Sequence, residues 1–203
     1  MIGIIDYGMG NLRSVQKALQ RVGAEAVILR DPAQASGIGK LILPGIGAAA
    51  DAMRVLRERG WVEVMSRQLR EGRTLFGICL GLQLLFEESL EGGRVECLGL
   101  LRGQSVRFDP RDPSIKVPHM GWNSLRFVRP DCPLLTGLDD GCSVYFVHGY
   151  HVVPSDPSVI VATSDHGGRF CAIVQEGNLY GAQFHPEKSQ SMGLRMLANF
   201  AGL

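Results

Sequence analysis

Residues 74–88 read TLFGICLGLQLLFEE, a strand-like run that passes through Gly77-Ile78-Cys79-Leu80-Gly81 into a helix-forming stretch from Leu82. The small residues flanking Cys79 predict a tight, strained turn that projects the cysteine side chain from a sheet. The turn also places Cys79 at a helix N-terminus, where unpaired N–H groups and the positive end of the dipole stabilise a thiolate. A lone cysteine in an apolar segment is usually just buried, but two glycines at fixed offsets favour a nucleophile.

Strand and helix patterns alternate from the N-terminus up to this turn. Such alternation is typical of parallel β-α-β units covered by helices on both faces, and right-handed crossovers are expected to join the strands. The periodicity predicts helices over residues 12–22, 48–59 and 61–70, and strands over residues 2–6, 26–29, 40–43 and 74–79.

The second half of the chain changes to short β-rich segments separated by turn residues, beginning after Gly92-Gly93. Antiparallel hairpins are expected there, above all across Glu176-Gly177-Asn178. A closing helix is predicted over residues 189–200. The strands predicted in this half cover residues 104–108, 122–128, 143–147, 159–163, 170–175 and 178–184, and the closing helix is expected to bury Met192, Met196, Leu197 and Phe200.

These patterns predict an α/β fold with an open, mixed and mainly parallel central sheet flanked by helices, and with an antiparallel β-rich C-terminal half. With 203 residues and 45% hydrophobic content, the chain can bury a substantial core, so a single domain over residues 1–203 is expected.

Composition excludes several classes of function. Lys and Arg number 21 against 20 for Asp and Glu, so the net charge of +1 supplies no field that would attract nucleic acid or an anionic membrane. Five cysteines without C-x-x-C spacing argue against a disulfide framework and a structural zinc site, and favour a reducing cytoplasm. The sequence has no basic leader at its start and no long apolar run, so a soluble, unprocessed protein is expected.

Motifs for cofactors and metals are incomplete. Gly8-Met9-Gly10 lacks the third glycine of a dinucleotide fingerprint, and Gly39-Lys40 lacks the other positions of a phosphate-binding loop. His148 and His151 lie three apart in a strand pattern, which predicts opposite faces, and no carboxylate or thiol completes a metal set. Neither a cofactor nor a metal is expected.

A cysteine nucleophile needs a base and a group that orients the base. His185-Pro186-Glu187 follows an apolar strand, and proline favours extended geometry in the residue before it, so Glu187 is predicted to reach the His185 ring. Both Cys79 and His185 would lie at the carboxyl ends of strands, where sites of α/β sheets collect. A strand-end histidine beside a surface carboxylate explains the tripeptide equally well.

An oxyanion hole requires backbone N–H groups that face the developing charge. The turn geometry predicts the N–H of Leu80 as one donor. The second is expected from Gly45 or Ile46, in the loop Pro44-Gly45-Ile46-Gly47 that follows a strand. Taken alone, this loop is more simply an ordinary β-α turn.

Together these segments resemble the class I, triad-type glutamine amidotransferases over essentially the whole chain, and within them the glutaminase subunits of imidazole glycerol phosphate synthase. The segment from 118 to 123 and the one from 184 to 189 are the most specific. The matching segments are DYGMGNL (6–12), LPGIG (43–47), GICLGLQ (77–83), PHMGWN (118–123), YFVH (145–148) and FHPEKS (184–189).

The resemblance implies hydrolysis of glutamine through a thioester on Cys79, with His185 as base and then acid and Glu187 as its orienting partner. It also implies that ammonia passes to a (β/α)8-barrel cyclase subunit in a heterodimer. There, a phosphoribosyl substrate becomes imidazole glycerol phosphate and an aminoimidazole carboxamide ribotide, in histidine biosynthesis. No cofactor is implied.

The resemblance further implies that Gln83 and the backbone near His148 bind glutamine. Residues implied near the cyclase interface and the ammonia passage are Asn11, Trp122, Tyr145 and Lys188. Simpler roles are a helix cap for Asn11 and core packing for the two aromatic residues.

One departure from the family pattern is Ala48-Ala49-Ala50, where a bulkier aromatic residue is expected after the glycine loop. Other functions remain open. A stand-alone cysteine hydrolase or peptidase would explain the triad of Cys79, His185 and Glu187 but not the PHMGWN segment. Another class I amidotransferase subunit would share the glycine-flanked turn at Cys79, called the elbow below. A binding subunit without activity would leave the triad without a purpose.

Overall fold

The computed structural model describes residues 1–109 and 115–203. Its α-helices are α1 (Leu12–Arg21), α2 (Ala49–Glu58), α3 (Trp61–Arg70), α4 (Leu80–Leu84) and α5 (Gln190–Gly202). Its strands are β1 (Ile2–Ile5), β2 (Ala26–Leu29), β3 (Lys40–Gly45), β4 (Thr74–Cys79), β5 (Glu88–Ser89), β6 (Val95–Glu96), β7 (Gly103–Arg107), β8 (His119–Ser124), β9 (Arg126–Phe127), β10 (Ser143–His148), β11 (Tyr150–Pro154), β12 (Ile160–Asp165), β13 (Arg169–Glu176) and β14 (Leu179–Ala182).

Eight strands form a central sheet in the order β2-β1-β3-β4-β14-β13-β12-β9. The pairs from β2 to β14 are parallel, whereas β14, β13, β12 and β9 pair antiparallel. The mixed, mainly parallel sheet predicted from the sequence is therefore confirmed. Because β14 pairs with β4, the carboxyl ends of two strands that are distant in sequence meet at one edge of the sheet.

Helices cover both faces of this sheet, as the sequence predicts. On one face, α1 and α5 pack Leu19 and Phe200 against Phe76 of β4. On the other, α2 and α3 pack Leu56 and Trp61, and the short α4 lies with them. All four residues of β1 are buried, which is typical of a parallel strand with covered faces. In α5, Met196 and Leu197 are fully buried with Phe200, and Met192 is half-buried against them.

The C-terminal half is rich in antiparallel pairs, as predicted. The expected hairpin across Gly177 joins β13 to β14, with Gly177 at φ 55. Outside the central sheet, β8 pairs antiparallel with β10, placing Trp122 beside Tyr145 and His119 beside His148. A further sheet has the order β11-β7-β5-β6, in which only β5 and β7 are parallel.

The helix that follows Cys79 is shorter than its sequence suggests. The pattern predicts helix from Leu82 to Glu88, but α4 ends at Leu84 and Glu88 begins β5. Backbone N–H groups of residues 97–101 bond to the carbonyl oxygens of Leu84, Leu85 and the next two residues. Since those carbonyls are taken by a distant segment, the helix cannot continue.

The strand predicted over residues 122–128 is two strands in different sheets. β8 pairs with β10, and β9 pairs with β12. Between them, the buried Leu125 exchanges backbone hydrogen bonds with Gly141 and Cys142, which takes the chain from one sheet to the other.

No helix in residues 1–109 or 115–203 is both long and apolar enough to cross a bilayer. Over the same two ranges, His, Cys, Asp and Glu side chains do not gather in any group of three that could hold a metal ion.

Candidate active site

Cys79 occupies a strained turn between β4 and α4. Its backbone angles are φ 56 and ψ −111, and only one other non-glycine residue of the described chain, Gln190, has a positive φ. Such conformations cost about 1–3 kcal/mol and cluster at functional sites, where the surrounding structure holds them. The predicted sharp strand-to-helix turn at Cys79 is therefore present.

The glycines beside Cys79 are required by packing. A Cβ added to Gly81 would lie 1.9 Å from the Leu43 carbonyl oxygen, and one added to Gly77 would lie 2.7 Å from the Gly81 backbone. The first turn of α4 therefore rests directly on the backbones of β3 and β4. This close approach explains why the sequence pattern of the elbow contains glycine at both offsets.

We expect Gly81→Ala to destabilise the fold by at least about 2 kcal/mol, because the new methyl group would overlap a backbone oxygen that cannot move without displacing β3. Urea unfolding followed by circular dichroism measures the change. The matched control is Gly39→Ala, since a Cβ at Gly39 meets nothing within 4 Å. Equal stability of the two variants would contradict the tight contact between α4 and β3.

His185 and Glu187 form a buried pair next to the cysteine. His185 Nδ1 lies 2.8 Å from Glu187 Oε1, and the two side chains are 3% and 1% exposed. His185 has the extended backbone that Pro186 favours, at φ −99 and ψ 99. The predicted contact is thus present, and the alternative of a surface carboxylate is wrong because the Glu187 side chain is buried.

Opposing influences set the charge of His185. Burial, the largest of them, lowers its pKa, but Cys79 and the Glu187 carboxylate together outweigh burial and raise the pKa to about 10. His185 Nε2 and Glu187 Oε2 are buried and make no hydrogen bond. The ring therefore favours the imidazolium form, with Nδ1 held by Glu187 and Nε2 free for another partner.

The residues predicted for the oxyanion hole lie at the same sheet edge as Cys79. Gly45 is the last residue of β3 and pairs in register with Cys79, while Leu80 is the first residue of α4. The N–H of Leu80 thus belongs to the first helical turn, whose donors have no partner within the helix. Ile46 follows Gly45 with an exposed side chain.

A cavity of about 310 Å³ opens over Cys79 and His185. Gln83 and His148, predicted to bind glutamine, both line it. Gln83 is buried and its Nε2 donates to the Tyr150 carbonyl at 3.0 Å and to Gln183 Oε1 at 3.3 Å. The other predicted residues in its wall are Ile46, Leu80 and Lys188.

Several residues of the cavity region were missed from the sequence. Glu91 is the one acidic side chain that lines the cavity in the described part of the chain, and its Oε2 accepts the Ala49 N–H of α2 at 2.9 Å. Gln183 Nε2 lies 3.8 Å from Cys79 Sγ, and the Val147 carbonyl lies 3.9 Å from the same sulfur. These residues carry no local motif, so only the fold brings them to the cysteine.

The alanine departure falls at the start of α2. Ala48 precedes α2 without a side-chain cap, and Ala49 is fully buried at its first position. The Glu91 carboxylate supplies the missing cap by accepting the Ala49 N–H.

The prediction that His148 and His151 face opposite sides is wrong. His148 ends β10 and His151 lies on β11, with Gly149 between the strands. Both rings pack on Phe108, with centroid distances of 5.1 and 4.6 Å. His148 is buried.

Three of the four residues predicted at an interface lie together. The rings of Trp122 and Tyr145 are 6.0 Å apart, and Lys188 Nζ lies 5.9 Å from the Tyr145 centroid. Trp122 is 49% exposed, so core packing does not explain it. Asn11 precedes α1 but makes no side-chain cap bond, which removes the capping explanation. Lys188 and α1 line a common groove.

Comparison with known proteins gives a consistent result. The family model described as glutamine amidotransferase class-I matches residues 3–202. The chain is 53% identical to imidazole glycerol phosphate synthase subunit HisH of Syntrophotalea carbinolica, over all of both chains. It is 50% identical to the same subunit of Geobacillus kaustophilus, over 100% of this chain and 97% of that one.

Solved structures agree on the fold. A structure described as glutamine amidotransferase aligns with a TM-score of 0.77 at 23% identity, over 100% of this chain and 99% of the other. PurLQS from Thermotoga maritima aligns with a TM-score of 0.77 at 21% identity, over 99% and 97%. A strained Cys79 elbow, a buried His185–Glu187 pair and full-length identity near one half point the same way, and the chain belongs to the class I glutamine amidotransferases, in the HisH family of imidazole glycerol phosphate synthase subunits.

Proposed function

We propose that the chain hydrolyses glutamine to glutamate and ammonia, and that it delivers the ammonia to a cyclase subunit that makes imidazole glycerol phosphate. The observation that carries the proposal is the cavity of about 310 Å³ over Cys79 and His185, in which the cysteine lies beside the buried His185–Glu187 pair. We expect the enzyme in the cytoplasm, because its five cysteines are all unpaired.

The chemistry follows from the arrangement of Cys79 and His185. The Cys79 thiolate attacks the side-chain carbonyl carbon of glutamine, and the oxyanion accepts hydrogen bonds from Leu80 and the Gly45-Ile46 loop. The imidazolium of His185 gives its Nε2 proton to the departing nitrogen, so ammonia leaves and a thioester forms. Water then loses a proton to His185 and attacks the thioester, which releases glutamate and restores the thiolate.

Glu91 provides a site for the α-ammonium group of glutamine. Glu91 is the acidic side chain in the wall of the cavity. The α-ammonium group of glutamine is positively charged and takes no part in the reaction with Cys79 and His185, so it is free to bind a carboxylate. Gln83, fixed by Tyr150 and Gln183, offers a positioned amide on the same wall.

We expect Glu91→Gln to raise KM for glutamine about ten- to a hundredfold and to change kcat much less, because a charge-assisted bond to the substrate is lost. The amide oxygen can still accept the Ala49 N–H, so the start of α2 stays intact. Steady-state glutaminase assays give both constants. Glu87→Gln is the control, since Glu87 accepts the Gly103 N–H at 2.8 Å away from the cavity wall. A fall in kcat with KM unchanged would contradict this role of Glu91.

The partner surface is proposed on β8 and its neighbours. Met120 and Trp122 project from one side of β8 and are 64% and 49% exposed, and Ile46 beside the cavity is also exposed. Large apolar side chains exposed together mark an interaction site. Trp122 is next to Tyr145, and Tyr145 is next to Lys188, which lines the cavity. The proposed partner surface therefore adjoins the cavity, as transfer of ammonia to the (β/α)8-barrel cyclase requires.

The test is glutamate release by the purified chain alone, with the cyclase, and with the cyclase plus its phosphoribosyl ligand. We expect the subunit alone to be nearly idle and the complex with ligand to gain turnover far more than affinity for glutamine. A rotating peptide in the glycine loop could supply such a switch, because losing one oxyanion donor costs about a hundred- to a thousandfold. Full turnover by the isolated chain, unchanged by the partner, would favour a stand-alone hydrolase.

The variant that tests the loop must leave the elbow intact. Gly45→Ala is unsuitable, since its Cβ would lie 2.8 Å from Leu80 Cβ and 2.9 Å from the Gly81 nitrogen. Gly47 has φ 91 and open space around an added Cβ. Gly47→Ala therefore meets no neighbouring atom but strains this positive-φ position, which disfavours the observed loop conformation and should reduce the stimulation by the partner.

A further inference from the structure

Hydrogen bonds form a continuous line from β8 to the wall of the cavity. Asn123 Nδ2 lies 3.2 Å from His119 Nε2, and His119 Nδ1 lies 3.1 Å from His148 Nε2. His148 Nδ1 lies 2.8 Å from the Tyr150 carbonyl oxygen, which also accepts from Gln83 Nε2 at 3.0 Å. The line starts on the strand that carries the exposed Met120 and Trp122, and it ends on two residues that line the cavity.

The first donor in this line is fixed by its neighbours. Asn123 Oδ1 accepts the Ser124 N–H at 2.8 Å, and Asn123 Nδ2 donates to the Asp165 carbonyl at 2.7 Å. The amide therefore presents its NH₂ group, and not its oxygen, to His119 Nε2. Because that ring nitrogen accepts, the single proton of a neutral His119 ring must be on Nδ1.

The last acceptor fixes the same direction from the other end. A carbonyl oxygen can only accept, so His148 must carry its proton on Nδ1 to bond to Tyr150. Its Nε2 is then an acceptor, which is what the His119 Nδ1–H requires. Burial holds both rings neutral, lowering the pKa of His119 to about 4 and that of His148 to about 3. Each hydrogen bond in the line therefore has one possible direction, from Asn123 to His119, from His119 to His148 and from His148 to the Tyr150 carbonyl.

Packing holds the His119 ring in its plane. It stacks on Phe146 at a centroid distance of 4.8 Å and on His166 at 4.1 Å. At the other end of the line, Tyr150 follows Gly149, and a glycine leaves the backbone beside it flexible. A fixed donor at His148 therefore supplies orientation that the local chain does not.

We propose that His119 and His148 are positioning residues, through which strand β8 sets the orientation of the Tyr150 carbonyl and of the Gln83 amide in the glutamine pocket. The proposal rests on the proposed function, and it adds a route from the partner surface to substrate binding. His119 touches no substrate in this scheme. It acts through His148, which acts through Tyr150.

The kinetic test compares leucine with asparagine at each histidine, in the complex with the cyclase and its phosphoribosyl ligand. Asparagine places an amide nitrogen near the position of Nδ1 and can keep the donated bond, whereas leucine cannot. We expect His119→Leu and His148→Leu to raise KM for glutamine about tenfold, since a buried acceptor loses its donor. His119→Asn and His148→Asn should restore most of the affinity.

Two controls separate positioning from simple packing. His166 stacks on His119 but bonds to the Lys116 carbonyl, outside the line. His166→Leu keeps an apolar side chain against the His119 ring and removes no bond of the line, so it should leave KM unchanged. The double variant His119→Leu/His148→Leu should be no worse than His148→Leu alone, because His119 acts only through His148. Unchanged KM in both folded leucine variants, or additive losses in the double variant, would overturn the inference.

A spectroscopic readout does not depend on activity. In protein with ¹⁵N-labelled histidine at pH 7, we expect His119 and His148 to carry the proton on Nδ1, with Nε2 unprotonated. A proton on Nε2 of either ring would sink the proposal. Wild-type complex that releases no glutamate would contradict the proposed function, and the inference with it, whereas an active wild type with unaltered variants would overturn the inference alone.

Discussion

Replacing Cys79 with alanine is expected to abolish glutamate release, with a fall in kcat on the order of a million-fold. The thioester cannot form without the sulfur, and among the described residues the cavity is lined by no second cysteine and by no serine or threonine. The fold should survive, because alanine keeps the Cβ and the two hydrogen bonds lost are long, at 3.9 Å from Sγ to the Val147 carbonyl and 3.8 Å to Gln183. Glutamate production in the complex with cyclase and ligand measures the loss.

The control for this variant is synthesis with ammonia supplied from outside. The complex that contains Cys79→Ala should still make product from added ammonia, because the proposed function assigns the ring-forming chemistry to the cyclase. Cys97→Ala provides a second control, since Cys97 is also a buried cysteine but does not line the cavity, and its thiol bonds to the Val95 carbonyl. Near-normal glutaminase activity in Cys79→Ala would show that the elbow is not the catalytic centre, and loss of the ammonia-dependent reaction would show that assembly had failed.

Replacing His185 is expected to cost more than replacing Glu187. His185→Asn removes the proton shuttle and should lower kcat on the order of a million-fold, whereas Glu187→Gln keeps the size of the side chain and should lower it by about ten-thousandfold. The reason is that, in the proposed mechanism, Glu187 orients the ring and stabilises its charge, while His185 moves the proton itself. Turnover of the two variants in the same complex gives the comparison, and a less active glutamate variant would reverse the roles.

The same pair predicts how stability depends on pH. Because the folded pKa of His185 is raised to about 10, the folded chain keeps a proton that the unfolded chain releases near pH 6.5. This contribution to stability is complete below pH 6.5 and is lost as the pH rises towards 10. In Glu187→Gln one cause of the raised pKa is gone, so urea unfolding should show a smaller loss between pH 7 and 9 than in wild type. An unchanged loss would show that Glu187 does not stabilise the imidazolium.

Local features of the fold could be predicted because short-range sequence determines them. β2, β4 and α3 have the predicted bounds, since apolar periodicity and turn residues act within a few positions. The elbow follows from Gly77 and Gly81, whose missing side chains allow α4 to touch β3. The contact between His185 and Glu187 follows from Pro186, which extends the backbone before it.

Contacts between residues distant in sequence determined the features that the local sequence pattern did not predict. The helix after Cys79 looked longer in sequence, but residues 97–101 take its last carbonyls. The strand predicted through Leu125 changes sheets, because β8 and β9 have different partners. Glu91 reaches the cavity and Gln183 reaches Cys79 without any local motif, since their neighbours there come from other parts of the chain.

The sequence by itself therefore determined the chemistry: a cysteine on a glycine-flanked turn, and a histidine and glutamate two residues apart on an extended segment. Only the tertiary structure decided the environment of that chemistry. The pairing of β4 with β14 brings Cys79 and His185 to one sheet edge, where Cys79 and the Glu187 carboxylate outweigh the effect of burial and make His185 a stable imidazolium. The physical reason is that covalent neighbours fix conformation, whereas burial, charge and proton position depend on atoms that only folding brings together.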